Sequence, residues 1–253
     1  MVSEPILIAK NVSKRFGEFV AVDHVTLELE RNKTLCVIGP NGAGKTSFIN
    51  LISGFYYPEE GNVFFEGADI THVSPAGRVK LGIGRTFQLV QVFDNLTVGQ
   101  NLGLSFFRKK EDRSFPFRMF YSSLNAPDIH DSVLKSLAIF ELDHLENEAV
   151  ANLPLGSKKR LEIAMALIAD PKVLIFDEPF AGLGDQEIDE LIDVFRIHTP
   201  GKTVLVVEHK ISKIELFVDK LAVMHEGKVI CCGGVQETLS DPEVKRCYWK
   251  INN

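Results

Sequence analysis

The sequence predicts an α/β fold: a largely parallel sheet with helices on its faces, an N-terminal antiparallel β subdomain and an inserted α-helical lobe. Three observations predict it. The N-terminal residues carry period-two patterning, and the C-terminal part alternates short apolar runs with helical patterns. The stretch between them, from about Leu96 to Leu155, is helical in character. At 253 residues the chain is long enough to bury a sizeable core and short enough for one domain with a smaller lobe. The expected division places the α/β core and β subdomain at 1–95 and 156–253, with the helical lobe at 96–155.

In chain order, Ile6-Leu7-Ile8-Ala9 and the alternating Val25-Thr26-Leu27-Glu28-Leu29 read as strands. Thr34-Leu35-Cys36-Val37-Ile38 is a short apolar run that ends in a glycine-rich turn. Ser47-Phe48-Ile49-Asn50-Leu51-Ile52 then reads as a helix stopped near Gly54. Asn62-Val63-Phe64-Phe65 reads as an edge or hairpin strand. In the middle of the chain, helices are predicted at Val98–Phe106 and Ile129–Phe140. They are joined by a basic and aromatic segment from Arg108-Lys109-Lys110 through Phe115, Phe117, Phe120 and Tyr121. That segment reads either as a solvated loop or as a contact with a neighbour. Lys172–Phe176, Thr203–Val207 and Leu221–His225 are three apolar runs separated by helical patterns, as a parallel sheet requires.

Composition excludes several classes. A net charge of −6 gives no support to binding a nucleic-acid backbone, which wants a basic surface. No apolar run approaches the roughly 18 residues needed to span a bilayer. The start, Met1-Val2-Ser3-Glu4-Pro5, shows neither half of a secretory signal. Any membrane role is therefore expected to come through a partner. Cys36, Cys231, Cys232 and Cys247 form no paired Cys-x-x-Cys and have no His at zinc-like spacing, so they read as small buried apolar residues in a reducing compartment.

The strongest motif is Gly39-Pro40-Asn41-Gly42-Ala43-Gly44-Lys45-Thr46, which satisfies the phosphate-loop pattern of Gly, four residues, then Gly-Lys-Thr. Its glycines let backbone N–H groups turn inward around phosphates. Lys45 supplies a point charge for the β- and γ-phosphates, and the Thr46 hydroxyl is placed to coordinate Mg²⁺. The following helix adds its positive N-terminal end. With Gly at about 7% of residues, a random chain of this length matches roughly once in a hundred, and the strand before and helix after lower that further. These residues predict a core of the P-loop NTPase type, with a RecA-like parallel sheet.

A second motif sits at the end of a strand. Val173-Leu174-Ile175-Phe176 runs straight into Asp177-Glu178-Pro179. Asp177 is expected near Mg²⁺, through water, and Glu178 where an attacking water is polarised. Alone, the pair also reads as an ordinary acidic turn; beside Lys45 it gains meaning.

Four further elements resemble the ABC transporter ATPases. Gln88, in Gly84-Arg85-Thr86-Phe87-Gln88, matches that family's glutamine loop, which senses Mg²⁺ and the membrane partner. Leu161-Glu162-Ile163-Ala164-Met165-Ala166-Leu167 matches the helix after the signature. His209, closing Val204-Leu205-Val206-Val207-Glu208-His209, matches the switch histidine at the γ-phosphate, and Phe16 matches the aromatic that stacks on adenine. Singly, Phe16 reads as core, Gln88 as a solvated turn residue and His209 as structural; their order along the chain makes the case. The resemblance implies ATP and Mg²⁺ as cofactors, with nucleotide held by Phe16, Gly39 through Thr46 and Ser47. It implies metal contacts from Thr46, Gln88 and Asp177, and catalytic roles for Glu178, His209 and Gln88.

A narrower resemblance is to the ATPases of branched-chain amino-acid importers. It rests on Gly84-Arg85-Thr86-Phe87-Gln88, Val92-Phe93, Leu96-Thr97-Val98 and the tail Asp241-Pro242-Glu243-Val244-Lys245-Arg246-Cys247-Tyr248. It implies transmembrane permease subunits, an extracytoplasmic solute-binding protein, no nucleic acid, and a place at the cytoplasmic face of the membrane. Relatives that carry amides or urea share much of this pattern.

The signature departs from the family's Leu-Ser-Gly-Gly-Gln. Leu153-Pro154-Leu155-Gly156-Ser157 puts Pro154 in place of a hydroxyl that would meet the other protomer's γ-phosphate, and Leu155 in place of a glycine. Ser157 is expected to begin the helix behind it. Gly184 stands where an Asp is common, and Asp185 follows. These departures predict an asymmetric pairing with a second, different ATPase subunit. Two other functions fit the sequence less well. A non-transport module in which ATP binding regulates an assembly usually joins two cassettes or carries coiled coils. A nucleotide kinase or GTPase leaves Gln88, the helix at Leu161 and His209 unexplained, and no Asn-Lys-x-Asp is present.

Overall fold

The structure, a computed structural model, describes residues 4–110, 127–209 and 211–249. Its first elements are β1 (Pro5–Phe16), β2 (Phe19–Glu30), β3 (Thr34–Ile38), α1 (Lys45–Ser53), β4 (Glu60–Phe65), β5 (Ala68–Asp69), α2 (Pro75–Leu81) and β6 (Ile83–Arg85). The middle contains α3 (Val98–Lys110), α4 (Pro127–Ile139) and α5 (Leu155–Ile168). Then follow β7 (Val173–Asp177), α6 (Asp185–His198), β8 (Thr203–Val207), α7 (Ile211–Ile214), β9 (Lys220–His225), β10 (Lys228–Gly234), α8 (Val235–Ser240) and α9 (Pro242–Trp249).

These elements fall into two compact units. One comprises the described residues of Met1–Arg85, Lys172–Pro179 and Phe195–Asn253; the other comprises those of Thr86–Pro171 and Phe180–Val194. The first unit carries both sheets. One is four-stranded and antiparallel, in the order β2-β1-β4-β5. The other runs β10-β9-β3-β8-β7-β6, with every neighbouring pair parallel except β9 and β10.

Strands β3, β7 and β8 are buried at all five positions each, because helices and sheet leave neither face to solvent. Such strands show no alternation and read as continuous apolar runs. On one face, Val37, Ile175, Val207 and Met224 join a cluster with Phe48, Ile49, Leu51 and Ile52 of α1, together with Ile6, Leu7 and Val63 of the other sheet. Each such side chain contributes about 1.5–3 kcal/mol on burial. The second unit is mainly helical; Val98 and Leu102 of α3, Val133 and Leu137 of α4, and Leu161 of α5 are buried in it.

The predicted helices and strands are present, β3 and β8 with the expected bounds and the others with shifted ends, and three strands were not anticipated, the two-residue β5 among them. β6 is three residues long and contains Gly84 and Arg85, too short and too polar for a pattern. β10 is an edge strand through Cys231-Cys232-Gly233-Gly234, whose glycines hide it. The expectation that all four cysteines are buried is corrected: Cys36 is buried in β3, Cys231 and Cys247 are partly exposed, and Cys232 is exposed on the edge strand. The basic and aromatic segment from Glu111 through Tyr121 lies outside the described residues; only the backbone of Arg108–Lys110, closing α3, falls within them.

One buried charge organises the connection from α1 to α2. The Arg78 guanidinium is fully buried and donates to the carbonyls of Leu51 (2.7 Å), Ile70 (2.8 Å), Thr71 (3.0 Å) and Val73 (3.1 Å). Burial lowers its pKa to about 10, which still leaves it charged at neutral pH. It thereby satisfies the Leu51 carbonyl in the last turn of α1 and a loop otherwise short of donors. Arg78→Met should lower stability by about 2–4 kcal/mol, because the Thr71 and Val73 carbonyls lose the donors that Arg78 supplies, and those of Leu51 and Ile70 keep only a backbone N–H. Urea denaturation of the two proteins measures it, and an unchanged midpoint would contradict the account.

Candidate active site

Strand order brings the chemistry together. In the parallel sheet β3, β8 and β7 lie side by side, and their C-terminal ends lead respectively into the glycine loop, His209 and Glu178. Ligands of open α/β sheets bind at these carboxyl ends.

The loop after β3 is tight. Gly39 passes so close to the next strand that a Cβ there would lie 2.2 Å from the Met224 carbonyl oxygen. Gly44 has φ +97°, and a Cβ on it would lie 2.1 Å from the Ala21 carbonyl oxygen. No other residue type fits either place without moving backbone. Gly44 also serves as the N-cap of α1, so no side chain caps that helix, and its first turn carries no acid. The N–H groups and positive end of α1 are thus left for an anion, the arrangement a polyphosphate needs.

Lys45 is buried, and its ammonium donates to the carbonyls of Gly39 (2.8 Å) and Pro40 (3.0 Å), which hold it across the loop. Burial lowers its pKa, while the charges of Glu178 and Asp177 raise it in part. Thr46 is exposed and Ser47 half-buried on the first turn of α1; Pro40, Asn41 and Gly42 form the rim of the loop, and Ala43 is packed inside. Phe16 is 44% exposed, with Tyr56 in a T-shaped contact at 5.3 Å between ring centroids and the Lys14 ammonium 5.6 Å from the Phe16 centroid, so part of the ring is open to solvent.

Asp177 ends β7 in a buried position. Its Oδ2 accepts from Arg85 Nη2 at 2.9 Å, and side-chain exposures of 7% for Arg85 and 3% for Asp177 make this a buried ion pair. Burial raises the Asp177 pKa, and the Arg85 guanidinium pulls it back. Among the described residues, Asp177 Oδ1 is buried without a hydrogen-bond partner. Together with the Thr46 hydroxyl it supplies the hard oxygen donors that suit Mg²⁺. No three His, Cys, Asp or Glu gather as metal ligands among the described residues, so a metal here would share phosphate oxygens and water.

Glu178 follows with φ +49°, a left-handed backbone rare outside glycine. Its N–H donates to the Val207 carbonyl (3.0 Å), which ties it across to β8. That turn points its carboxylate toward His209, whose Nε2 lies 2.7 Å from Glu178 Oε1. The His209 backbone N–H donates to Glu208 Oε2 at 3.0 Å. The two predicted catalytic groups after β7 and β8 are therefore a hydrogen-bonded pair.

Gln88 belongs to the other unit, where it is exposed. The N–H groups of Phe87 and Gln91, on either side of it, both donate to Glu162 Oε1 at 3.2 Å. Glu162 is a buried carboxylate of α5, and those two N–H groups offset the rise that burial imposes on its pKa. The signature lies in the same unit. Pro154, with φ −64° and ψ 159°, is the N-cap of α5, and the helix starts at Leu155, two residues before the expected Ser157. Proline's missing N–H and preset φ cost nothing at a helix start, which explains the earlier onset. Leu155 is left exposed, and Gly156 lies against Glu187, whose Oε1 would be 2.2 Å from an added Cβ. Gly184 donates its N–H to Glu187 Oε2 at 2.9 Å as α6 begins.

Sequence reasoning did not find the roles of Arg85 and Glu162. A lone basic residue in a short strand and a lone acid on a predicted apolar helix face were the signals available.

A family profile described as ABC transporter matches residues 22–181. The probable branched-chain amino acid transport ATP-binding protein LivG of Archaeoglobus fulgidus is 36% identical over 249 residues, covering 96% of this chain and 95% of that protein. The protein of the same description from Methanocaldococcus jannaschii is 35% identical over 251 residues, covering 96% of each. Among solved structures, the ADP conformation of MJ1267, an ATP-binding cassette of an ABC transporter, superposes with a TM-score of 0.83. It shares 33% sequence identity and covers 98% of this chain and 99% of that one. Phosphate loop, buried aspartate, and the Glu178–His209 pair thus sit in a chain whose relatives match it nearly end to end: it belongs to the ABC transporter family of ATP-binding proteins.

Proposed function

We propose that this chain is the ATP-hydrolysing subunit of a membrane importer for branched-chain or related hydrophobic amino acids. The observation that carries the hydrolytic part is the pair formed by Glu178 and His209 beside Lys45 and Asp177. The names of its relatives support the choice of solute. Residues 1–253 would form one ATPase domain, and ATP binding would close it against a second such subunit.

The geometry supports the following roles. The N–H groups at the start of α1 and the Lys45 ammonium bind the β- and γ-phosphates, and Phe16 stacks on the base. Mg²⁺, when bound with the nucleotide near Thr46 and Asp177, would draw negative charge off the phosphate oxygens. Glu178 orients the water for in-line attack and receives its proton as the bond from γ-phosphorus to the bridging oxygen breaks. His209 fixes the Glu178 carboxylate and lies where it can sense the γ-phosphate. Gln88, on a loop held by Glu162, is proposed as the reporter of metal and partner.

Among the described residues no helix is long and apolar enough to cross a membrane. Membrane attachment is therefore proposed to come through permease subunits, at the cytoplasmic face, with a solute-binding protein on the far side. Leu89, 79% exposed, and Phe93 lie close to Gln88 in sequence and offer apolar contact area for such a partner.

Pro154 and the exposed Leu155 at the start of α5 support a heterodimer. The partner's intact signature would complete this chain's site, while this chain's own signature would serve the partner's site less well. Two outcomes are expected. Glu178→Gln should reduce turnover at least a hundredfold while ATP-dependent association with the partner subunit persists on gel filtration; wild-type turnover would remove Glu178 from the mechanism. The isolated chain should hydrolyse ATP weakly, with the rate per site rising at least tenfold when the cognate ATPase subunit is added. Strong cooperative hydrolysis by this chain alone would count against the heterodimer.

A further inference from the structure

Arg85 is the last residue of β6, a strand of three residues that pairs in parallel with β7. Its guanidinium is held on three sides. Nη1 donates to Asn50 Oδ1 and to Ser53 Oγ, both at 2.7 Å, and Nη2 donates to Asp177 Oδ2 at 2.9 Å. The Phe55 ring lies 5.4 Å from the guanidinium carbon. Ser53 Oγ is itself committed as a donor to the Ile49 carbonyl at 2.6 Å, so its lone pairs are aimed and not free to rotate. Asn50 and Ser53 both belong to α1, the helix whose first residue is Lys45.

We propose that Arg85 is a positioning residue for the metal half of the site: anchored on α1, it grips one oxygen of Asp177 and so dictates that the other serves the Mg²⁺ bound with ATP. The inference rests on the reading of Asp177 given under the proposed function. It explains why buried Oδ1 is left without a hydrogen-bond partner among the described residues while Oδ2 is bound. A carboxylate with both oxygens satisfied would have no reason to face a metal. One held by neither would be free to turn.

A purely structural role explains less. β6 and β7 are already joined by ladder bonds, with Arg85 opposite Ile175, so the sheet does not need the ion pair for its register. Buried ion pairs are often no more stabilising than apolar residues of similar volume. Nor would a lysine serve equally well. The planar fork of arginine reaches α1 and Asp177 at once, whereas an ammonium is a single point.

The test is equilibrium binding of a fluorescent ATP analogue to the full chain, in EDTA and in Mg²⁺. The readout is the gain in affinity that Mg²⁺ confers. Arg85→Met should cut that gain at least fivefold while affinity in EDTA stays within twofold, and Arg85→Lys should recover part of it. Asn50→Ala combined with Ser53→Ala leaves both charges of the pair in place and should give an intermediate loss. If Arg85→Met does not fold, as judged by its melting curve, that double variant decides, and a full gain in it overturns the proposal. A parallel fall in melting temperature and in EDTA affinity, with the Mg²⁺ gain intact, would also overturn it. Asp177→Asn separates the two readings. Loss of the gain in Asp177→Asn but not in Arg85→Met defeats only the role of Arg85. An unchanged gain in Asp177→Asn, or no gain in the wild type, defeats both.

Discussion

The central strands of the parallel sheet have no polar face, so every charge the site needs stands beyond their ends or is paired where it is buried. Apart from Thr34 and Thr203, which open β3 and β8, these strands and β7 are apolar up to Asp177, and helices cover them. At the boundary, a buried ammonium, a buried carboxylate and a buried guanidinium come together within one unit. Each of them would be costly alone. Lys45 is held by the loop carbonyls it spans, and Asp177 is held by Arg85. A phosphate at this boundary would meet fixed charges that are buried and therefore weakly screened.

The same constraint accounts for the use of backbone strain. A residue following directly on Asp177 would continue the extended run and send its side chain to the opposite face. The left-handed turn at Glu178 breaks that alternation and brings its carboxylate to His209, on the next strand's exit. The N–H of Glu178, bonded to Val207, makes the turn an extension of the ladder between β7 and β8. Strain of this kind persists only where the surroundings over-determine it, and here both strands do.

How much was legible in the sequence follows from these particulars. The glycine loop was visible because a close approach admits only glycine, as Gly39 and Gly44 demonstrate against Met224 and Ala21. Strands β3 and β8 were read to the residue, since an unbroken apolar run has sharp ends. The long antiparallel strands β1 and β2 are legible only over Ile6–Ala9, near the start of one, and Val25–Leu29, near the end of the other, because register shifts between them interrupt the alternation. Arg85 and Glu162 were legible as residue types and illegible as partners. One faces a carboxylate that lies 92 residues away along the chain; the other closes on N–H groups that lie 75 and 71 residues away. Short-range patterning carries no record of such pairs. Glu178's backbone turn was equally hidden, as nothing in Phe-Asp-Glu-Pro announces a positive φ.

The two ends of the mechanism differ in how much change they tolerate. In the phosphate loop, backbone oxygens lie 2.2 Å and 2.1 Å from any Cβ added at Gly39 and Gly44, so substitution at those two positions is excluded sterically. At the signature, Gly156 is similarly confined by Glu187, but Leu155 projects into solvent and Pro154 occupies a position where a helix start accepts it without loss. The fold of this chain therefore places no demand on the hydroxyl and the second glycine that the family usually has there. Only a nucleotide on an opposing subunit would demand them. Their replacement, in a chain whose loop, aspartate and Glu178–His209 pair are intact, is what an asymmetric partnership permits. In the proposed heterodimer one half of the site can change while the other is kept.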